Sequence, residues 1–228
     1  PVFMDYKKSI LLNAFVEYVR SVLSMVEQDF SYESVFRFLR TGFTEFTRDE
    51  IDRLENYVVA VGLRGYKKWQ AVWARKTSSA DEEELAVLNG LRVRFVEMTE
   101  SLVFVLKQRK KTVRDICEAV YRFFVENQIQ EKLNVMENCF AEKKELALAK
   151  EYAQIYRIVL ELFDKFAELL GDEGISLKEY CELLDAGLEE AKVGVIPPGM
   201  DQVVIGDVQR TRLKSNLKAL FFVGANDT

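Results

Sequence analysis

From about Tyr6 apolar residues recur at helical spacing, at Ile10, Leu11, Ala14, Phe15, Tyr18, Val19, Val22, Leu23 and Val26, which predicts a helix with one buried stripe. Ser31 opens a second helix carrying Val35, Phe36 and Leu39 and ending at Gly42. Thr47 with Glu50 forms a capping box ahead of Ile51, Leu54, Val58 and Val59, and that helix ends at the Gly62 to Gly65 turn. Ser79 followed by Glu82 reads as the next cap, before an amphipathic stretch from Glu82 to Leu106. Thr112 with Asp115 caps a helix bearing Ile116, Val120, Phe123 and Phe124. Glu131 to Leu170 is periodic almost throughout and is either two helices or one bent one, and Ser176 with Glu179 caps a last helix that runs to about Ala191.

The pattern changes at Val193. Ile196-Pro197-Pro198-Gly199 breaks any helix, and two short β-branched and aromatic runs follow, QVVIGDV and ALFFVGAND. Near-continuous apolar runs suit strands buried on both faces of a parallel sheet, yet three such scraps, with PVFM at the start, are too few to build one. The fold class expected is therefore mainly α: a multi-helix domain with a small strand remnant formed by the N-terminal and C-terminal segments. The start at PVFMD without an initiator Met and the end at GANDT read as a piece of something longer. About nine residues, Gln209 to Leu217, join the last two runs, too few for a helical crossover. The two runs are expected side by side as short strands with PVFM beside one of them. Their unpaired outer edges would recruit a second copy, giving a dimer of the fragment.

Composition narrows the chemistry. The 228 residues contain no histidine, which removes the Ser-His-Asp triad, the Cys-His dyad and His-ligated zinc. Cys117, Cys139 and Cys181 stand far apart inside helical patterns with no CxxC pair, so they read as buried thiols rather than a metal site or disulfide framework. Acidic runs such as Asp81 to Glu84 have no second carboxylate set by a motif, and there is no GxxxxGK[ST] loop. No catalytic, cofactor or metal residue is assigned to this chain. The net charge of −5 gives no global attraction to nucleic acid, and no apolar run reaches the length of a membrane span.

Three basic clusters remain. Gly62 to Lys76 contains Arg64, Lys67, Lys68, Arg75 and Lys76, both tryptophans (Trp69 and Trp73) and Tyr66, and no acid lies between Glu55 and Asp81. Cations with stacking faces suit single strands and duplex ends. An amphipathic helix with its tryptophans packed inward at i and i+4 and its cations solvated explains the same residues. Lys107, Arg109, Lys110, Lys111 and Arg114 occupy a helix junction, where cations also complement a helix C-terminus. Arg210, Arg212 and Lys214 lie between the last two strand-like runs.

Four strings, in order, resemble one family: FSYESVFRFLRTG (30–42), TRDEIDRLENYVVAVGLRGYKKW (47–69), the stretch from Glu151 to Leu213, and KALFFVGAND (218–227). They are similar to the B subunit of the bacterial AddAB (RexAB) helicase–nuclease. The resemblance implies a cytoplasmic bacterial machine that processes double-strand breaks for recombination, with DNA and the A subunit as partners and no membrane. It further implies that residues 6–191 are a helical insertion of the 2B kind, residues 1–5 a strand root of a RecA-like domain and residues 192–228 the return segment. Arg210, Thr211, Arg212 and Lys214 would face DNA there, beside Arg64, Lys67, Lys68 and Trp69 in the helical body. ATP, magnesium and an iron–sulfur cluster would be bound outside this chain. One departure is visible, since Thr228 follows Asp227 where the family continues with Gly. A purely structural or protein-interaction module is the alternative.

Overall fold

The computed structural model describes residues 2–4, 7–77, 80–194, 203–205 and 219–223. Two compact units are present, Ser9–Val193 and the terminal segments Pro1–Lys8 with Gly194–Thr228.

The first unit is helical. Helix α1 (Ala14–Glu27) does not begin near Tyr6, where the apolar spacing starts, because Asn13 takes an extended backbone and its side chain accepts from Phe15 N. Residues Lys7–Ser9 are strand and Tyr6 lies outside the described residues. The remaining helices are α2 (Tyr32–Leu39), α3 (Arg48–Val61), α4 (Tyr66–Gln70), α5 (Glu82–Leu106), α6 (Val113–Glu126), α7 (Ile129–Glu142), α8 (Leu146–Leu170) and α9 (Leu177–Glu190). Full capping boxes form at Thr47/Glu50, Thr112/Asp115 and Ser176/Glu179, each satisfying two otherwise orphaned N–H groups. For α5 the N-cap is Asp81, whose side chain accepts from Glu84 N at 2.9 Å, and not Ser79, which lies outside the described residues. The long periodic stretch resolves into two helices broken at Lys144, a non-glycine residue in the left-handed region at φ 62°.

Helix α1 is central. Phe15, Val16, Tyr18, Val19, Val22, Leu23 and Met25 all have zero exposure, so the helix is covered on nearly every side. Around it stands an aromatic core: the Phe15 ring lies 5.2 Å from that of Phe124 and 5.9 Å from that of Phe43, and Tyr18 stacks on Phe123 at 5.9 Å. Asn13 ties α1 to α8 through a 2.8 Å bond from its amide to the buried Glu151 carboxylate. Gly187 lets α9 approach α8, since a Cβ there would stand 2.8 Å from Leu162 and Phe166 side-chain carbons.

Two cysteines lie within this packing and one outside it. Cys117 is buried, with Sγ 3.2 Å from the Tyr180 hydroxyl, Cys181 is half-buried, and Cys139 is exposed. Burial, with Glu27, Asp185 and Glu182 adding to it, pushes the Cys181 thiol from 9.0 up to about 12. The unfolded thiol therefore loses its proton first as pH rises, and this group's contribution to stability declines between those two values. A disulfide-exchange reagent at mildly alkaline pH is expected to label Cys139 quickly and Cys181 only on unfolding. Equal labelling rates for the two would contradict this burial.

In the terminal unit β1 (Val2–Met4) pairs in parallel with β4 (Val203–Ile205), in the register Val2 with Val203, Phe3 with Val204 and Met4 with Ile205. PVFM thus lies beside the first of the two apolar runs, as expected. Strand β2 (Lys7–Ser9) pairs with β3 (Lys192–Gly194) where the chain enters and leaves the helical body. The second run is corrected: residues 219–223 form no strand. Without a neighbouring ladder a β-rich composition has nothing to pair with, and Leu220, Phe221, Phe222 and Val223 are all exposed.

Candidate nucleic-acid interface

The acid-free basic window is built on a short helix framed by two glycines. Helix α3 ends at Gly62 with φ 64°, and Leu63 N then reaches back to Val58 O at 3.0 Å. Gly65 precedes α4 with φ 90°, in a region L side chains rarely adopt, and a Cβ there would come within 3.2 Å of Asp29 Oδ2. Helix α4 lasts only five residues, because Ala71 turns to an extended backbone. Trp73 consequently lies in the extended stretch after α4, not on one helix with Trp69.

Both tryptophans nonetheless point inward. Trp69 is 1% and Trp73 6% exposed, their rings 5.2 Å apart, with Trp69 against Phe95 and Trp73 stacked on Tyr57. Tyr66 is buried against Phe30 at 4.7 Å, and its phenol is held above the usual range by burial, reinforced by Glu100. The expectation that Trp69 offers a stacking face is therefore corrected: its ring is part of the core that seats α4 on α5.

A buried guanidinium completes that seat. Arg92, 6% exposed, donates to Trp69 O at 2.9 Å, Gln70 O at 3.2 Å and Asn89 Oδ1 at 3.0 Å. It thus caps the C-terminal carbonyls of α4, and burial lowers its pKa from the usual arginine value. Asn89 meanwhile accepts from Trp73 N and donates to Trp73 O, fixing the extended segment. Sequence reasoning missed Arg92, although it interrupts the regular apolar series Leu85, Leu88, Phe95, Leu102 and Leu106 of α5. A charge on a core stripe is the signal that would have found it.

With the rings turned in, the cations are turned out. Arg64, Lys67 and Lys68 are exposed, and no ion pair engages them among the described residues. Lys76, at the end of the window, is paired with Glu82 at 3.2 Å. In the second cluster Lys107 is paired with Asp29 at 2.5 Å and Arg114 with Asp172 at 3.6 Å, whereas Arg109 and Lys110 are exposed and unpaired among the described residues. Arg210, Thr211, Arg212 and Lys214 lie outside the described residues. Among the described residues no cluster of His, Cys, Asp or Glu is arranged to hold a metal ion, and no helix is long and apolar enough to cross a membrane.

No protein-family model matches the chain. Individual relatives do. Over 230 residues it is 46% identical to the B subunit of an ATP-dependent helicase/deoxyribonuclease from Lachnoclostridium phytofermentans, covering all of this chain and 20% of that protein. Proteins of the same name from Clostridium novyi and Alkaliphilus metalliredigens are each 37% identical over the whole chain. The chain is homologous to one segment of these B subunits. It spans about a fifth of the length of the curated relatives it matches. The resemblance carried by the four strings thus extends along the full chain, and in this B-subunit segment the mainly helical body is the part that places the basic window at the surface.

Proposed function

We propose that the chain is a noncatalytic helical accessory segment of an ATP-dependent helicase–nuclease that processes DNA double-strand breaks for recombinational repair. Its exposed cations Arg64, Lys67 and Lys68 contact DNA phosphates. The observation that carries this reading is the acid-free run from Gly62 to Lys76, whose aromatic residues are spent on the core while these three cations remain solvated and unpaired among the described residues. Such a frame holds positive charge at a fixed place on a protein whose net charge is −5, which is how an overall acidic chain attracts a polyanion locally. ATP, magnesium and the iron–sulfur cluster are bound by other parts of the parent protein, and Arg210, Thr211, Arg212 and Lys214 add DNA contacts at the return segment. Exposed Val72 (75%) and Phe104 (71%) support a neighbouring protein contact, for which the A subunit is the partner. Exposed Val203 and Ile205 on β4 support a dimer of the fragment through its strand edge.

The test is binding of this chain to forked DNA by fluorescence anisotropy. Lys67→Glu/Lys68→Glu is expected to lower the log–log salt slope by about 2 and to weaken binding steeply at low salt. Its circular dichroism should match that of the unaltered chain, since neither side chain is buried. Absence of binding at low salt, or binding indifferent to the double reversal, would overturn the reading.

A further inference from the structure

We infer that the cations of the α4 window and those of the turn between α5 and α6 form one phosphate-contacting surface, bridged at Lys107, that takes the backbone of duplex DNA rather than the bases of a single strand. This rests on the functional reading above and names the form of DNA that the site accepts.

The juxtaposition is fixed by Lys107, the residue that ends α5. Its Nζ lies 5.2 Å from the centre of the Tyr66 ring, at the first residue of α4, and 6.0 Å from that of Phe30. The same Nζ donates to Asp29 Oδ1 at 2.5 Å, and the other oxygen of Asp29 is the atom nearest a Cβ built on Gly65, the residue after Arg64. The end of α5 and the start of α4 therefore meet around one carboxylate. That carboxylate is already neutralised by Lys107, so it does not repel a phosphate approaching the flanking cations. Arg64, Lys67 and Lys68 on one side and Arg109 and Lys110 on the other are exposed with no ion pair among the described residues. Lys111, by contrast, is turned back to Gln108 O at 2.9 Å.

The form of DNA follows from what this surface lacks. Proteins that hold single strands combine cations with several ring faces on which successive bases stack. Here Tyr66, Trp69 and Trp73 are 8%, 1% and 6% exposed, so every aromatic of the window is occupied by the core. Phe104, 71% exposed one turn before Lys107, is a single ring and makes no stacking track. A surface of cations alone gains most from the ligand with the densest phosphates, and a duplex carries one charge per about 1.7 Å of its axis.

Binding of this chain to a blunt duplex and to a single strand of equal length, each titrated across salt, tests the proposal. With five contributing cations the duplex slope is expected near about −4.5, so a fourfold rise in salt weakens binding about 500-fold. Arg109→Gln/Lys110→Gln is expected to reduce that slope to about −2.7 and the loss to about 40-fold. Phe104→Ala should leave duplex binding unchanged. A single strand that binds as tightly as the duplex, or that loses its binding with Phe104→Ala, overturns the duplex assignment alone. Duplex binding that needs Lys67 and Lys68 but ignores the Arg109/Lys110 variant overturns the shared surface and leaves the functional reading standing. Absence of binding to either DNA overturns both.

Discussion

Trp69→Ala is expected to lower stability by about 3–5 kcal/mol, the usual cost of truncating a fully buried large aromatic. The indole fills the space between Phe95 and Trp73 and is 1% exposed, so alanine there leaves a cavity under α4. DNA binding should weaken as well, because α4 is loosened, even though the ring lies too deep to touch a base. Trp69→Phe separates the two effects. It keeps a ring in place and removes an indole N–H that is buried without a hydrogen-bond partner among the described residues, so it should retain most of the stability. Thermal unfolding followed by circular dichroism measures both variants. A stacking residue would behave the other way round, with stability untouched by Trp69→Ala and binding lost.

Arg92→Leu is expected to cost about 2–4 kcal/mol, since it orphans the Trp69 and Gln70 carbonyls at about 1–3 kcal/mol each while leucine recovers part of this on the apolar stripe. Arg92→Lys should fall between, because an ammonium lacks the planar fork that reaches two carbonyls and Asn89 together. The local consequence is the more informative one. With its C-terminal carbonyls uncapped, the five-residue α4 should fray, and trypsin should cut after Lys67 or Lys68 well before the rest of the helical body. Denaturant titration and timed digestion check the two parts. Unchanged stability together with unchanged digestion would show that the guanidinium is not what holds the window.

Much of the helical layout is legible in the chain because its helices are punctuated locally. Thr47 with Glu50, Thr112 with Asp115 and Ser176 with Glu179 close as capping boxes, and Gly62 ends α3 in the left-handed conformation. These are short-range hydrogen bonds and dihedral preferences, which residue identity alone decides. The failures are tertiary. Ile10 and Leu11 continue the apolar spacing of α1, but Asn13 starts the helix later because its side chain caps α1 and its amide reaches Glu151 across 138 residues. Trp69 and Trp73 stand at helical spacing, yet the chain leaves the helix at Ala71 because Asn89 takes both polar groups of Trp73's backbone. Residues 219–223 have strand composition and no strand, since a strand is made by a partner that composition does not supply.

For the candidate site, the sequence correctly places cations and aromatics in one window and leaves open which of them face water. Helical periodicity turns the tryptophans inward, whereas phosphate and stacking chemistry turn them out, and only the packing against Phe95 and Tyr57 decides. The bridge at Lys107 is hidden from the sequence for a simpler reason. Its partners Asp29 and Tyr66 are 78 and 41 residues away along the chain (107 − 29 and 107 − 66), beyond the reach of any local pattern.

The central claim is that this acidic helical segment carries a localised DNA-contacting surface at its α4 window. Amine-reactive footprinting read by mass spectrometry, with and without a short blunt duplex, tests it in the unaltered chain. Lys67, Lys68 and Lys110 are predicted to lose reactivity on adding DNA, while Lys143, Lys144, Lys165 and Lys178, which are also exposed, keep theirs. Protection spread evenly over all seven lysines, or confined to the second group, would contradict the account.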